Sequence, residues 1–162
     1  MFDDLLEANE RYRKEFHDPG IRGKAAKGLA VVTCIDSRID PLSMLGLRAG
    51  DAKIIRNAGG RITRDALRSL IVATNLLDVN RVCVVQHTDC AMSGSTDDEM
   101  RAHIGALRGQ DASGWDFLFS TDPASNMRAD LEALAVCGLL PPDLIVGGFV
   151  FDVHTGGLTP VN

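Results

Sequence analysis

The stretch Leu29–Arg38, Leu-Ala-Val-Val-Thr-Cys-Ile-Asp-Ser-Arg, carries the decisive signal. Leu29, Val31 and Val32 are apolar and mostly β-branched, and polar residues bound the run, which predicts a buried strand over Gly28–Ile35. The run then ends in a thiol, a carboxylate and a guanidinium. Cys34, Asp36 and Arg38 alternate, and alternation on an extended chain puts all three on one side. A core strand is thus expected to deliver chemistry at its carboxyl end.

Working outward, Ala52–Arg56 predicts a second strand that opens into the glycine loop Asn57-Ala58-Gly59-Gly60. Glycine lets a backbone approach a ligand closely, since no side chain intervenes. Val82–Gln86 is apolar almost throughout, as expected of a strand covered on both faces, and His87-Thr88-Asp89-Cys90 follows it directly. Leu144–Asp152 predicts a fourth strand, and Thr155-Gly156-Gly157 a turn into a short hairpin ending near Val161. Helices fall between these strands. Asp40-Pro41 caps a short one reaching about Gly46, and Thr63–Asp78 carries Leu67, Leu70, Ile71, Thr74 and Leu77 on one face. Thr96 and Glu99 match a capping box that opens a helix through Leu107. Asp122-Pro123 starts a helix with Met127, Leu131 and Leu134 inward, closed by Gly138 and Pro141-Pro142. Gly109–Phe119 follows no clear period.

Strand and helix alternate, so the class is α/β with a central, mainly parallel sheet flanked by helices. Such sheets place ligands beyond the carboxyl ends of their strands. Cys34–Arg38, Asn57–Gly60 and His87–Cys90 therefore converge on one sheet edge. The whole chain, 1–162, is expected to form one domain. Phe2–Phe16 predicts an N-terminal helix whose apolar stripe, Phe2, Leu5, Leu6, Tyr12 and Phe16, is narrow for packing only on its own domain, so it is expected to lie either on a partner subunit or on its own core.

Composition narrows the function classes. The net charge of −5 and the lack of a basic patch argue against nucleic acid. No apolar run approaches the ~18–20 residues a membrane span needs. Asp3, Asp4 and Glu7 stand where a secretory signal would be basic, so the expected location is the cytoplasm, with the four cysteines reduced.

Cys34, His87 and Cys90 offer two thiolates and one imidazole, a zinc donor set that leaves a fourth position open. Cys83, mid-strand, and Cys137, at a helix end, read as core cysteines. Asp36 can either ligate the metal and close the site or accept a hydrogen bond from a metal-bound water. Arg38 bears on that choice, because a guanidinium holds a carboxylate by two hydrogen bonds and keeps it ionised. Zinc lowers the pKa of bound water from ~16 toward 7, which suits attack by hydroxide on a small electrophile.

Cys34-Ile35-Asp36-Ser37-Arg38, Arg56-Asn57-Ala58-Gly59 and His87-x-x-Cys90, in this order and spacing, resemble the β-class carbonic anhydrases. The resemblance implies one zinc per subunit on Cys34, His87 and Cys90, and Asp36 with Arg38 as the catalytic dyad. It implies reversible hydration of CO2 to bicarbonate and a proton. It also implies a homodimer, or a dimer of dimers, with N-terminal helices packed across subunits. Some members carry a second, non-catalytic bicarbonate site that needs a tryptophan three residues before the first zinc cysteine. Val31 stands there, so no such site is expected and the fourth zinc position should be open near neutral pH.

Relatives with the same ligands and dyad hydrolyse carbonyl sulfide or carbon disulfide, so the alternative activity is a hydrolase at the same site. Selectivity would come from Gly59, Gly60, Ala91, Met92 and Gly109–Phe119, and Gly60 is expected to leave room beside the metal for a larger sulfur atom. A non-catalytic zinc or redox sensor is a third possibility, which Arg38 argues against. His103 and His154 could relay protons, since histidine as a residue type serves that role, or simply sit at the surface.

Overall fold

The computed structural model describes residues 1–161. Five strands form one sheet in the order β2-β1-β3-β4-β5. They are β1 (Leu29–Cys34), β2 (Ala52–Asn57), β3 (Arg81–His87), β4 (Ile145–Phe151) and β5 (Leu158–Val161). The first four run parallel, and β5 pairs antiparallel with β4 after the glycine turn. Each strand lies within a residue or two of its expected span, the usual uncertainty of element ends.

Register decides where the chemistry lands. Cys34 pairs with Asn57 at the shared end of β1 and β2. Thr33 pairs with Val85, so β3 runs one step past Cys34 before it ends at His87. The carboxyl ends of three neighbouring strands therefore meet within a few ångströms.

The helices are α1 (Asp3–Glu15), α2 (Pro41–Met44), α3 (Arg64–Leu76), α4 (Asp97–Arg108) and α5 (Pro123–Ala135). Their starts follow local capping chemistry. Asp40 accepts from Leu42 N and Ser43 N, Thr63 from Ala66 N, and Asp122 from Ser125 N. Thr96 and Glu99 form the full reciprocal box. Of these, α5 ends sooner than expected, at Ala135, with Val136 as its cap.

Helices α3 and α5 cover one face of the sheet. Leu70, Ala73, Met127 and Leu134 pack there on Ala30, Val32, Val82 and Val84. The other face carries Val31, Cys83, Val85 and Phe151, covered by Ile39 and the α2 segment through Met44, Leu45 and Leu47. That cover is partial: Leu29, Leu45, Leu47, Cys83, Phe149 and Leu158 line an open apolar groove. Helix α1 buries none of its residues. Phe2, Leu6 and Tyr12 are each more than 60% exposed, the reverse of what the hydrophobic effect rewards in a lone chain.

Candidate metal centre

The sulfur and nitrogen atoms of Cys34, His87 and Cys90 lie within 4.8 Å of one another. Cys34 is the last residue of β1, His87 the last of β3, and Cys90 sits in the turn that follows. The two sulfurs are 4.0 Å apart. Two thiolates on one tetrahedral zinc, with bonds of ~2.3 Å, would stand ~3.8 Å apart. His87 fits the same role. Its Nδ1 lies 2.8 Å from the carbonyl of Thr88, which can only accept, so Nδ1 carries the proton and Nε2 the free lone pair. Nε2 is buried with no hydrogen-bond partner. A buried polar atom left unsatisfied is costly unless something binds it, and here it faces two sulfurs. The donor set suits a soft or borderline divalent cation.

The cradle already favours an anion. A hydrogen bond from the Cys90 thiol, which outweighs the cost of burial, helps bring the Cys34 thiol down to about 4. Backbone N–H groups, including that of Gly59 at 3.3 Å, act in the same direction. Cys90 moves upward, because it donates to Cys34 and losing its proton would set two thiolates side by side. Cys83 behaves differently: burial pushes its thiol up to about 11, as befits a packing residue on the open sheet face. All four cysteines are free thiols.

Asp36 and Arg38 come together, but not through the extended alternation expected of them. The strand stops at Cys34, and Asp36 folds the chain into a turn. Its carboxylate accepts from Arg38 N at 2.9 Å and its carbonyl from Ile39 N at 3.0 Å. Short acidic side chains commonly bond to backbone groups two residues on, and here that preference beats the strand. The turn permits a forked pair, Arg38 Nε to Oδ1 at 3.0 Å and Nη2 to Oδ2 at 2.8 Å. Those hydrogen bonds hold Asp36 well below the usual carboxylate range and push Arg38 up. Asp36 Oδ2 reaches to 4.0 Å from His87 Nε2 yet stays outside the three-residue cluster.

A carbonic anhydrase family model matches residues 29–110. β-Carbonic anhydrase 1 of Mycobacterium tuberculosis is 36% identical over 163 aligned residues, covering 98% of this chain and 96% of that one. The chain belongs to the β-carbonic anhydrase family. The crystal structure of carbonic anhydrase from Streptococcus mutans superposes with a TM-score of 0.93 at 37% identity, covering 99% and 97% of the two chains. A carbon disulfide hydrolase of Saccharolobus solfataricus is 32% identical over 151 residues, 78% of this chain and 74% of that one.

Within this β-carbonic anhydrase fold, two residues to which sequence reasoning gave no role at the cluster, Asp89 and Arg56, support it. Asp89, inside the His87-x-x-Cys90 turn, accepts from Arg38 Nη1 at 2.7 Å, and its carbonyl accepts from Nη2 at 2.9 Å. Arg38 is thus gripped from both strand ends, and the available signal was an acid lodged between His87 and Cys90. Arg56 donates to the carbonyls of Cys34 and Asp36 at 2.9 and 2.7 Å, fixing the turn from β2.

The glycine loop departs from expectation. Gly59 and Met92 line a narrow pocket with His87 and Cys90. Gly60 leaves no room beside the cluster, because a Cβ on it would stand 2.9 Å from the backbone of Cys34 and Thr33. Its bareness lets the loop press against β1. Ala91 is exposed and does not line the pocket. From the irregular segment, Leu118 reaches the pocket while Phe117 does not. His103 is an exposed residue of α4, and exposed His154 places Nε2 3.9 Å from Asp89 Oδ2.

Proposed function

We propose that this protein is a zinc enzyme catalysing the reversible hydration of CO2, in which CO2 and water give bicarbonate and a proton. The observation that supports it most is the orphaned Nε2 of His87 facing Cys34 and Cys90, beside a carboxylate that Arg38 keeps ionised. Cys34, His87 and Cys90 would hold one zinc per subunit. Bound there, zinc would supply Lewis acidity that makes water nucleophilic near neutral pH. The chain's own contribution is orientation. Asp36, fixed by Arg38 and through it by Asp89, accepts a hydrogen bond from the attacking water and so sets the direction of its proton. Gly59 and Met92 form part of the wall that CO2 meets, and Gly60 holds that wall against β1.

Two unpartnered surfaces support a dimer. The exposed stripe on α1 and the open groove of Leu29, Leu45, Leu47, Phe149 and Leu158 are both apolar, and each could cover the other across a two-fold axis. We take the dimer, or a dimer of dimers, as the working assembly. Four free thiols suit a reducing compartment such as the cytoplasm.

The likeness to carbon disulfide hydrolases favours a second activity at the same site. Carbonyl sulfide and one water would give CO2 and hydrogen sulfide; carbon disulfide and two waters would give CO2 and two molecules of hydrogen sulfide. Paired assays on zinc-loaded protein separate the activities: stopped-flow CO2 hydration, and sulfide release from carbonyl sulfide and carbon disulfide. Fast hydration with trace sulfide is the expected outcome. Sulfide release with feeble hydration would overturn the substrate while keeping the site.

A further inference from the structure

Behind the metal cluster lies a buried acid that the reaction does not use. Asp130, on α5, is 3% exposed, and three donors converge on its carboxylate. Ile62 N donates to Oδ1 at 3.0 Å, while Arg61 Nε and Gln86 Nε2 donate to Oδ2 at 2.8 and 3.2 Å. A buried ion pair is rarely the cheapest way to stabilise a core, so its placement is informative.

Each donor belongs to a segment that carries or touches a metal ligand. Gln86 adjoins His87 at the end of β3. Arg61 and Ile62 follow the turn Ala58–Gly60, whose Gly59 N–H meets Cys34 Sγ at 3.3 Å. The stem of Arg61 lies over that turn, with its Cγ 3.2 Å from where a Gly59 Cβ would be. Asn57 clamps the same residue, accepting from Arg61 N at 2.7 Å and donating to its carbonyl at 2.8 Å.

We propose that Asp130 is a positioning residue for the metal cradle. Through Arg61 and Ile62 it fixes the turn that aims the Gly59 N–H at the Cys34 sulfur. Through Gln86 it fixes the end of β3 that presents His87. An N–H donated to a ligating sulfur withdraws charge from it, and outer partners of this kind tune both affinity and electronic character. The proposal rests on Cys34, His87 and Cys90 holding a metal.

Asp130→Asn is the test. An amide keeps an acceptor for Ile62 N, but its nitrogen then meets Arg61 Nε, which cannot stop being a donor. Two readouts apply: zinc release to a chelator, and the sulfur-to-metal charge-transfer band of the cobalt-substituted protein. The expected results are release about 10- to 100-fold faster and a band moved to longer wavelength, since a sulfur with a weaker hydrogen bond gives up charge more readily. If Asp130→Asn does not fold, Gln86→Leu is read by the same measurements, with smaller changes of the same sign. A variant that melts earlier yet matches the parent in release and spectrum makes Asp130 merely structural and overturns the proposal. A parent protein that takes up no cobalt or zinc overturns the metal centre and this proposal together.

Discussion

Replacing Gly60 by alanine separates backbone conformation from close approach. Gly60 has φ +65°, and an added Cβ would stand 2.9 Å from Cys34 N and Thr33 C and 3.1 Å from Thr33 Cα. Those are atoms of a central strand paired on both sides, so they cannot step aside. The left-handed backbone costs an L-residue roughly 1–2 kcal/mol, and forcing a methyl into packed backbone about 1–3 kcal/mol. Their sum of about 2–5 kcal/mol is a large share of the ~5–15 kcal/mol that holds a typical domain folded. The chain can escape the clash only by lifting Ala58–Gly60 off β1, which withdraws the Gly59 N–H from Cys34 Sγ.

Two other glycines calibrate the result. Gly109 has φ +64° with nothing within 4 Å of an added Cβ, so Gly109→Ala carries only the backbone cost of about 1–2 kcal/mol. Gly138 has neither constraint, and Gly138→Ala should stay within about 0.5 kcal/mol of the parent. Urea unfolding of zinc-loaded protein at one fixed concentration ranks the three. Stability should fall in the order Gly138→Ala, Gly109→Ala, Gly60→Ala, and zinc release should quicken in the last alone. A Gly60→Ala midpoint equal to that of Gly109→Ala, with release unchanged, refutes the close-approach argument.

Asp36→Asn should lower CO2 hydration about 100-fold while zinc content stays at one per chain; equal loss of zinc would make Asp36 a ligand instead. Asp89→Asn removes the 2.7 Å acceptor on Arg38 but leaves the forked pair, so kcat/KM should drop only about tenfold, and an unchanged value would remove Asp89 from the site. Leu6→Glu on α1 places a charge within the exposed apolar stripe and should shift the protein toward monomer in sedimentation velocity, with no change in the circular dichroism of the core. Asp97 accepts from Phe117 N and Phe119 N, both at 2.8 Å. Burial acts to raise its pKa, but those hydrogen bonds outweigh it and the net shift is downward. The stabilisation is therefore present above the ordinary aspartate value of about 4 and is lost as pH falls through the folded-state value. The single tryptophan, Trp115, stacks on Phe117 and should report that loss by fluorescence, and Asp97→Asn should flatten the acid limb.

What could be read from the sequence was local chemistry repeated at strand ends. Apolar runs, capping residues and the ligand pattern all act within a few residues, so β1, β3, the Thr96 box and the Cys34–His87–Cys90 set were legible. Errors began where two distant segments share one interaction. Gly60 reads as open space in a chain seen alone, yet its partner is the backbone of Thr33 and Cys34 across the sheet. The alternation of Cys34, Asp36 and Arg38 presumes an extended chain, and the Asp36 turn breaks that premise while producing the same pairing. Asp130 lies 69 residues from Arg61, and no periodicity links them. It did leave one trace. In α5 the buried positions are Met127, Asp130 and Leu134, so an acid occupies the apolar face of a helix. Acids almost never sit there unless paired. A charged residue at a core position of an otherwise regular helix thus implies a buried partner elsewhere. Here that partner, Arg61, stands at the foot of the turn that hydrogen-bonds the Cys34 sulfur.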